Sequence, residues 1–576
     1  MTLWTYHPPP GDIAAILESG LQISPAVAEI LAKNGIKTAE EGERHLRPRL
    51  AHLADPALIS NVQKAAGRIA RAIASKEKIS ILGDYDVDGV TSTTLLVDVL
   101  RALGADPSYF VPRRLEEGYG MSAAVVGRVL AEGGHCGLFI ALDCGTNSLE
   151  ETRALSRKGV EVIIIDHHRS KDPPAEGCIL VNPHVYDNEG PGAPWRLFCT
   201  VGLVFKVCHA LLKLLRAQDC QAAGEIVLKN HLDLVAMGTV ADLVPLRGEN
   251  RLLVRHGLDR LRETSREGLR ALKKTSGVLD DARLLPTDVS FRLGPRINAS
   301  GRLADAILPV QMLLESNPAT CADIAERLNG MNRERQEIER RVCAEATTQL
   351  EAMSDAYPHA LCAHGDWHPG VVGIVAGKLC RHFNRPCIVL GSEGAGMAKG
   401  SGRGVNGVNL VEALHACMDI LDSWGGHPMA VGISILEDRV GEFRQRFDAA
   451  VNALLKGEKP CAEPLQIAAW MDRAAITDDF LDQLELLQPF GEGNPEPIFG
   501  VADITLRTPP VLFGAKNYRF QIQLDSWRRL GVVAWRQDTP PPPVDTPLDL
   551  AVKLAWNYYN GRRYPHAELI QWRQAK

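Results

Sequence analysis

The stretch "KISILGDYDVDGVTSTTLLVDVLRALG" (residues 78–104) decides the architecture of this chain. A short apolar run enters a glycine-bounded loop, and a helical pattern follows, ending at Gly104. That order is strand, loop, helix, the opening of a βα unit. The pattern recurs downstream. "GLFIALDCGT" and "VEVIIIDHH" are continuous apolar strands, as expected where both faces of a parallel sheet are covered, and "CILVNPH" reads as another. Residues from about 60 to 310 therefore predict an open, doubly wound α/β sheet.

Each of these strands ends in a polar cluster. The first ends in Asp84, Asp86 and Asp88, the second in Asp143, and the third in Asp166, His167 and His168. Open parallel sheets place ligand sites at the carboxyl ends of their strands, so neighbouring strands would bring these groups into one crevice. A further acid, Asp242, stands in "MGTVADLVP" at the end of a predicted helix. Crowding five carboxylates is costly: at ~4 Å and an effective dielectric of ~20, each charged pair repels by about 4 kcal/mol. Protons or divalent cations must compensate. Oxygen donors with an imidazole suit Mg2+ or Mn2+ better than a thiophilic metal. The set is large enough for two ions with one shared carboxylate, the arrangement that activates a water on a phosphate ester. A solvated surface loop is the ordinary reading of a lone DxD. An EF-hand is a second alternative, but its glutamate position falls on Leu95, inside the predicted helix. Three successive strand ends carrying metal-type ligands favour the metal centre.

The remaining chain changes style twice. Residues 1–58 mix helix and loop, with a helical pattern broken at Ser24-Pro25. Residues 316–355 read as long charged helix, a connector, though an ordinary solvated helix face fits the pattern equally. A second α/β segment, 356–460, carries glycine-rich "KGSGRG" (399–404) and "WGGHPMAVG" (424–432). Residues 461–576 alternate like antiparallel strands, interrupted by "TPPPPVDTP". The predicted divisions are thus 1–58, 59–315, 316–355, 356–460 and 461–576.

Composition bounds the class. Apolar residues make up 45 % and charged residues 23 % of the 576, with a net charge of −6, so a nucleic-acid surface must be local. Residues 511–576 supply one: ten Lys/Arg against five Asp/Glu, with ten aromatics, among them Trp527, Trp535, Tyr564 and Trp572. Basic residues interleaved with aromatics on short strands suit a barrel that stacks bases, with Tyr518, Trp556, Tyr558 and Tyr559 as the expected platforms, although most aromatics of a small barrel are core. The thirteen scattered cysteines contain no CxxC pair, which predicts reduced thiols in a cytoplasmic protein. No basic-then-apolar leader and no apolar run of membrane-spanning length is expected.

In combination these motifs resemble the DHH phosphoesterase superfamily, and within it the bacterial single-strand-specific DNA exonucleases. "GDYDVDG", "LDCGT", "IIDHH" and "GTVAD" are similar to the first four family motifs. "GPRINASGR" (294–302), "SGRG", "GGHPMAVG" and "QPFGEGNPEPIF" (488–499) resemble later signatures. The resemblance implies a DHH-type parallel-sheet catalytic domain, a DHH-associated α/β domain joined by a connector helix, and a C-terminal OB-like β-barrel. It implies two divalent ions, Mn2+ or Mg2+: one held by Asp84, Asp86 and Asp143, the other by Asp88, Asp143, His167 and Asp242. His168 is implied to orient the site or touch the scissile phosphate, so Asp143, His167 and His168 are the expected catalytic set. Arg114, Arg296, Asn298 and Arg302 are implied to grip the nucleic-acid backbone, and Ser401, Arg403 and His427 a terminal phosphate. The activity implied is 5′→3′ exonucleolysis of single-stranded DNA to 5′-mononucleotides in recombination and repair, by a monomer working with single-strand-binding protein and a helicase. Two rivals stay open from the residues alone: a phosphoesterase of small nucleotides or polyphosphate, and a DNA-binding relative without catalysis.

Overall fold

The structure is a computed structural model that describes residues 3–113, 117–118, 120–134, 136–170, 173, 175–186, 194–279, 283–303, 306–458, 460, 463–537, 540–559 and 562–575. It divides into two compact units, Leu3–Gly294 with Pro464–Lys576, and Pro295–Glu463.

The apolar runs become the centre of the first unit. Strands β1 (Ile79–Gly83), β2 (Ser108–Phe110), β3 (Leu138–Leu142), β4 (Glu161–Ile165) and β5 (Cys178–Val181) form one sheet in the order β2-β1-β3-β4-β5, parallel throughout. β1 and β3 are buried along their whole length, which explains why neither shows alternation. Each fully buried Leu or Ile adds roughly 1.5–3 kcal/mol of hydrophobic stabilisation. The strand order reverses between β1 and β3, and such a reversal opens a crevice at the strand ends. Asp84 and Asp143 stand on its two sides, immediately after β1 and β3. Helix Val87–Ala102 begins where an EF-hand would still be loop, which removes the calcium-loop alternative.

In the second unit, β6 (Leu361–Gly365), β7 (Cys387–Gly394), β8 (Met397–Arg403), β9 (Ser423–His427) and β10 (Ala430–Leu436) pair in the order β9-β10-β8-β7-β6. Only β6 and β7 run parallel. The charged segment ahead of them is one helix of 36 residues, Pro318–Met353, capped by Asn317 through Ala319 and Thr320 N–H. It buries Asn329, Asn332, Arg335 and Glu339 as well as apolar residues, so it is more than a solvated spacer.

The C-terminal strands are β11 (Ala469–Met471), β12 (Phe499–Thr505), β13 (Val511–Phe513), β14 (Asn517–Gln523), β15 (Arg529–Ala534), β16 (Pro547–Tyr559) and β17 (Arg562–Gln574). Their order is β11-β12-β16-β17-β15-β14-β13, and the hydrogen-bonded ladder is open between β11 and β13 among the described residues. The N-terminal helices Gly11–Leu21 and Pro25–Lys33 do not build a core of their own. Leu17, Val27 and Leu31 pack into the same core as Phe480, Phe499 and Leu550 of the C-terminal segment. Ser24 caps the second helix and Pro25 occupies its first turn, the physical cause of the break at that dipeptide. Among the described residues no helix is long and apolar enough to cross a membrane.

Because the chain's two ends share this core, removing either exposes the other. Phe499→Ala is expected to cost about 3–5 kcal/mol. Thermal unfolding together with protease protection of residues 11–33 checks it: both should fall together.

Candidate metal centre

Three devices aim the carboxylates of "GDYDVDG" at one place. Asp84 leaves β1, and its Oδ1 accepts from Tyr85 N–H at 2.8 Å. Asp86 caps helix Val87–Ala102, accepting from Gly89 N–H at 3.0 Å. Asp88 lies in that helix's first turn and is buried. The turn is so tight that a Cβ on Gly89 would meet the Asp84 carbonyl oxygen at 2.4 Å, so only glycine fits. Asp143 follows β3 in the left-handed region (φ 62°), a conformation costing roughly 1–3 kcal/mol. Its N–H donates to Ile165 O at 3.0 Å, and its Oδ1 accepts from Thr200 Oγ at 2.9 Å.

The groups converge. Oxygens of Asp84, Asp86 and Asp143 lie within 4.8 Å of one another. His167 Nε2 lies 3.4 Å from Asp143 Oδ1, 3.5 Å from Asp242 Oδ2 and 3.9 Å from Asp88 Oδ2. Asp242 caps the C-terminus of helix Leu232–Ala241. That helix approaches closely through Gly238, whose added Cβ would sit 3.0 Å from Asp88 Oδ1. All six side chains expected to bind metal therefore meet in one crevice.

Sequence reading missed the residues that hold this set in place. Both Asp88 oxygens accept from the N-terminus of helix Thr200–Arg216, from Thr200 N–H at 2.7 Å and Val201 N–H at 2.8 Å. A helix N-terminus carries roughly half a positive charge, a partial compensation that the acid pattern alone does not reveal. Asp166, which the sequence shows at the third strand end without a role, is the second such residue. Its Oδ1 pairs with His168 Nδ1 at 2.7 Å and accepts from the N–H of His167 and His168, while Oδ2 accepts from Thr146 N–H. Asn182, just past β5, donates to Thr146 Oγ and His168 O. The signal for Asn182 was available: "VNPH" is a fourth strand end carrying a polar side chain.

Electrostatics sorts the acids. Burial, then the charges of Asp143 and its acidic neighbours, pushes Asp86 and Asp88 well above the usual carboxylate range. Asp242 rises to about 6, chiefly by burial, with His167 opposing. Asp166 goes the other way: burial opposes ionisation, but the His168 hydrogen bond and charge outweigh it. His168 is correspondingly pushed up to about 10, the Asp166 bond and charge overcoming its own burial. The donor set fits a hard divalent cation. It offers clustered carboxylate oxygens and one imidazole, and the buried Asp242 Oδ2 has no hydrogen-bond partner among the described residues. Cys199 lies within reach of Asp88 and Asp242, but burial first and those two charges next keep its thiol protonated.

The expected phosphate contacts fall in the second unit, apart from Arg114, which lies outside the described residues. Helix Pro369–Phe383 gathers three of them. Arg302 Nη1 donates to Gly370 O at 2.7 Å, and a Cβ on Gly373 would lie 3.3 Å from Ser401 Oγ and 3.5 Å from Arg403 Nη2. Arg403 donates to Ser401 Oγ and Gly402 O, and among the described residues no carboxylate pairs with it. Register puts His427 on the same sheet face, since Arg403 and His427 both lie opposite Ala430. His427 is exposed. Arg296 and Asn298 are not brought into this group by any described contact: Arg296 donates to Asn329 Oδ1, and Asn298 Oδ1 is buried without a partner among the described residues.

The aromatic expectation needs correction. Tyr518 (2 % exposed) and Trp556 (8 %) belong to the C-terminal core, because inward-facing positions of a small sheet must be filled. Tyr558 is exposed, as are Trp527 (93 %), Trp535 and Tyr564. Nothing is described of the Tyr559 side chain.

Fold and site together define a metal-dependent phosphoesterase of the DHH class. Residues 78–239 match the DHH family, N-terminal domain, 356–453 the DHHA1 domain, and 467–571 the RecJ OB domain. The chain belongs to the RecJ family. It is 36 % identical to the single-stranded-DNA-specific exonuclease RecJ of Dickeya dadantii, covering 93 % of each chain. It is 37 % identical to the Bacillus subtilis RecJ over 86 % of its own length, but spans only 61 % of that relative. The crystal structure of Thermus thermophilus RecJ in complex with Mn2+ matches with a TM-score of 0.81 at 28 % identity, covering all of this chain and 80 % of that one.

Without metal, the raised Asp86, Asp88 and Asp242 leave the folded chain holding protons that the unfolded chain releases. Stability from these groups is therefore lost as pH rises through the folded values, near 6 for Asp242. Cation binding needs the ionised forms. Mn2+ is expected to raise the melting temperature more at pH 8 than at pH 5.5, and scanning calorimetry of chelated and Mn2+-loaded protein at both values checks it.

Proposed function

We propose that this chain is a single-stranded-DNA-specific exonuclease that hydrolyses phosphodiester bonds with two divalent cations, Mn2+ or Mg2+. The observation that carries the reading is the meeting of Asp84, Asp86, Asp88, Asp143, His167 and Asp242 at the β1/β3 crossover of a RecJ-family chain. Asp84, Asp86 and Asp143 would hold one cation, and Asp88, Asp143, His167 and Asp242 the other. When bound, such a pair supplies Lewis-acid polarisation of the phosphoryl group and lowers the pKa of an attacking water.

The chain's own residues supply orientation. Thr200 and Val201 fix both Asp88 oxygens, leaving that carboxylate one aim. Thr200 Oγ fixes one oxygen of Asp143. Asp166 occupies His168 Nδ1 and keeps the ring charged, so Nε2 is the atom that can hold a proton toward a phosphate oxygen. Ser401, Arg403 and Arg302, around the first turns of helix Pro369–Phe383, form the terminal-phosphate grip, with His427 on the same sheet face as Arg403. A half-buried guanidinium without a carboxylate partner is suited to an anion. Arg114, Arg296 and Asn298 would hold the backbone. Exposed Trp527, Trp535, Tyr558 and Tyr564 offer faces on which bases stack without regard to sequence, worth about 1–3 kcal/mol each.

Attack from the 5′ end with release of 5′-mononucleotides follows from the family resemblance, and a terminal-phosphate grip supports it. The same resemblance supports a cytoplasmic monomer cooperating with single-strand-binding protein and a helicase. The division of labour is a catalytic 59–315, a connector 316–355, a phosphate-gripping 356–460 and a strand-guiding 461–576.

Asp143→Ala should abolish digestion of an end-labelled single strand in Mg2+ or Mn2+ while leaving strand binding largely intact; undiminished cleavage refutes the metal assignment. Arg403→Ala should erase most of the rate advantage of a 5′-phosphorylated over a 5′-hydroxyl oligonucleotide. Trp527→Ala should weaken binding of long strands about tenfold in a fluorescence-anisotropy titration, with the melting temperature unchanged.

A further inference from the structure

Two apolar side chains stand in solvent at the border of the carboxylate cluster. Leu243 follows Asp242 directly, is 66 % exposed, and has φ 58°, a backbone region leucine rarely adopts. Phe291 is 76 % exposed. It sits in Val289–Leu293, the only π-helical turn among the described residues. Such turns insert an extra residue into a helix and concentrate at functional sites.

Position ties this turn to the metal centre. It packs against helix Leu232–Ala241, the helix that Asp242 ends. A Cβ on Gly294, the residue after the turn, would lie 3.6 Å from Val87 and 3.7 Å from Ala241. The segment therefore borders both the Asp86–Asp88 turn and the residue before Asp242. The turn is firmly seated: Val289 and Leu293 are buried, and Arg292 donates to Asp288 Oδ1 at 3.1 Å and to Gly277 O. Only the phenyl ring is left out. A rigid turn that buries its neighbours and exposes its largest apolar side chain forgoes the stabilisation that burying the ring would bring.

We propose that Phe291 is a stacking platform for a nucleobase of the single strand beside the carboxylate cluster. The inference rests on the nuclease reading above. A base presents a flat apolar face whatever its identity, and a phenyl ring matches that face without imposing sequence preference. The substrate's phosphates would be gripped elsewhere, and the platform would fix the base next to the linkage being cut.

The test uses the full chain, Mn2+ and a 5′-phosphorylated, end-labelled oligonucleotide. Phe291→Ala should raise KM about tenfold with kcat little changed and the melting temperature unaltered, and Phe291→Trp should restore KM. A series of substrates with a single abasic nucleotide moved along the strand adds the decisive readout. One position should raise KM for the wild-type chain and leave Phe291→Ala unaffected, because the ring it would stack on is already gone. Unchanged KM in Phe291→Ala, equal sensitivity of both proteins at every abasic position, or a change of oligomeric state as the main effect would each overturn the platform. Failure of the wild-type chain to digest single strands would overturn the nuclease reading and the platform with it, whereas intact digestion without a Phe291 effect overturns the platform alone.

Discussion

Mutual repulsion among buried carboxylates is the constraint around which the catalytic unit is organised. Asp84, Asp88 and Asp143 are almost wholly removed from water, and Asp86 and Asp242 crowd against them. No packing force favours that arrangement, and it persists because the surrounding backbone dictates it. The Asp84–Gly89 turn is sterically closed, Asp143 is held in the left-handed region, and the N-terminus of helix Thr200–Arg216 clamps Asp88. The helix N-terminus offsets only part of the negative charge. Protons or divalent cations must supply the rest.

Within that nest the environment assigns different protonation states to chemically identical side chains. Asp166 is as buried as Asp88, yet it is held ionised while Asp88 is pushed toward the neutral form. The difference is the charged partner. Both carboxylates accept from backbone N–H groups, but Asp166 also pairs with the charged His168, whereas Asp88 is surrounded by other acids. Separating the two sets by one β-strand end lets the site present a cation-binding face and a charged imidazole side by side.

The two chain termini serve the same unit. The N-terminal helices and the C-terminal sheet share one core, and Pro295–Glu463 forms a separate compact unit in between along the chain. Stability of the C-terminal segment thus depends on residues more than 400 positions away, such as Leu17, which shares a core with Phe499.

The sequence by itself determined the parallel sheet, because strands buried on both faces must be continuously apolar, and it marked the candidate metal ligands, because acids and a histidine at successive strand ends, with one more acid at a helix end, stand out as a set. The connector helix and the glycine-rich stretch of Ser401 and Arg403, which forms strand β8, were equally legible as local patterns. Only the tertiary structure decided which aromatics are core and which are free: Tyr518 and Tyr558 look alike in sequence, and burial is set by strand register across a seven-strand ladder. It alone revealed the clamp of Thr200 and Val201 on Asp88 and the shared core of the two termini. Backbone donors and long-range packing leave no residue-type signature, since an N–H belongs to nearly every residue and a buried leucine carries no mark of its partner.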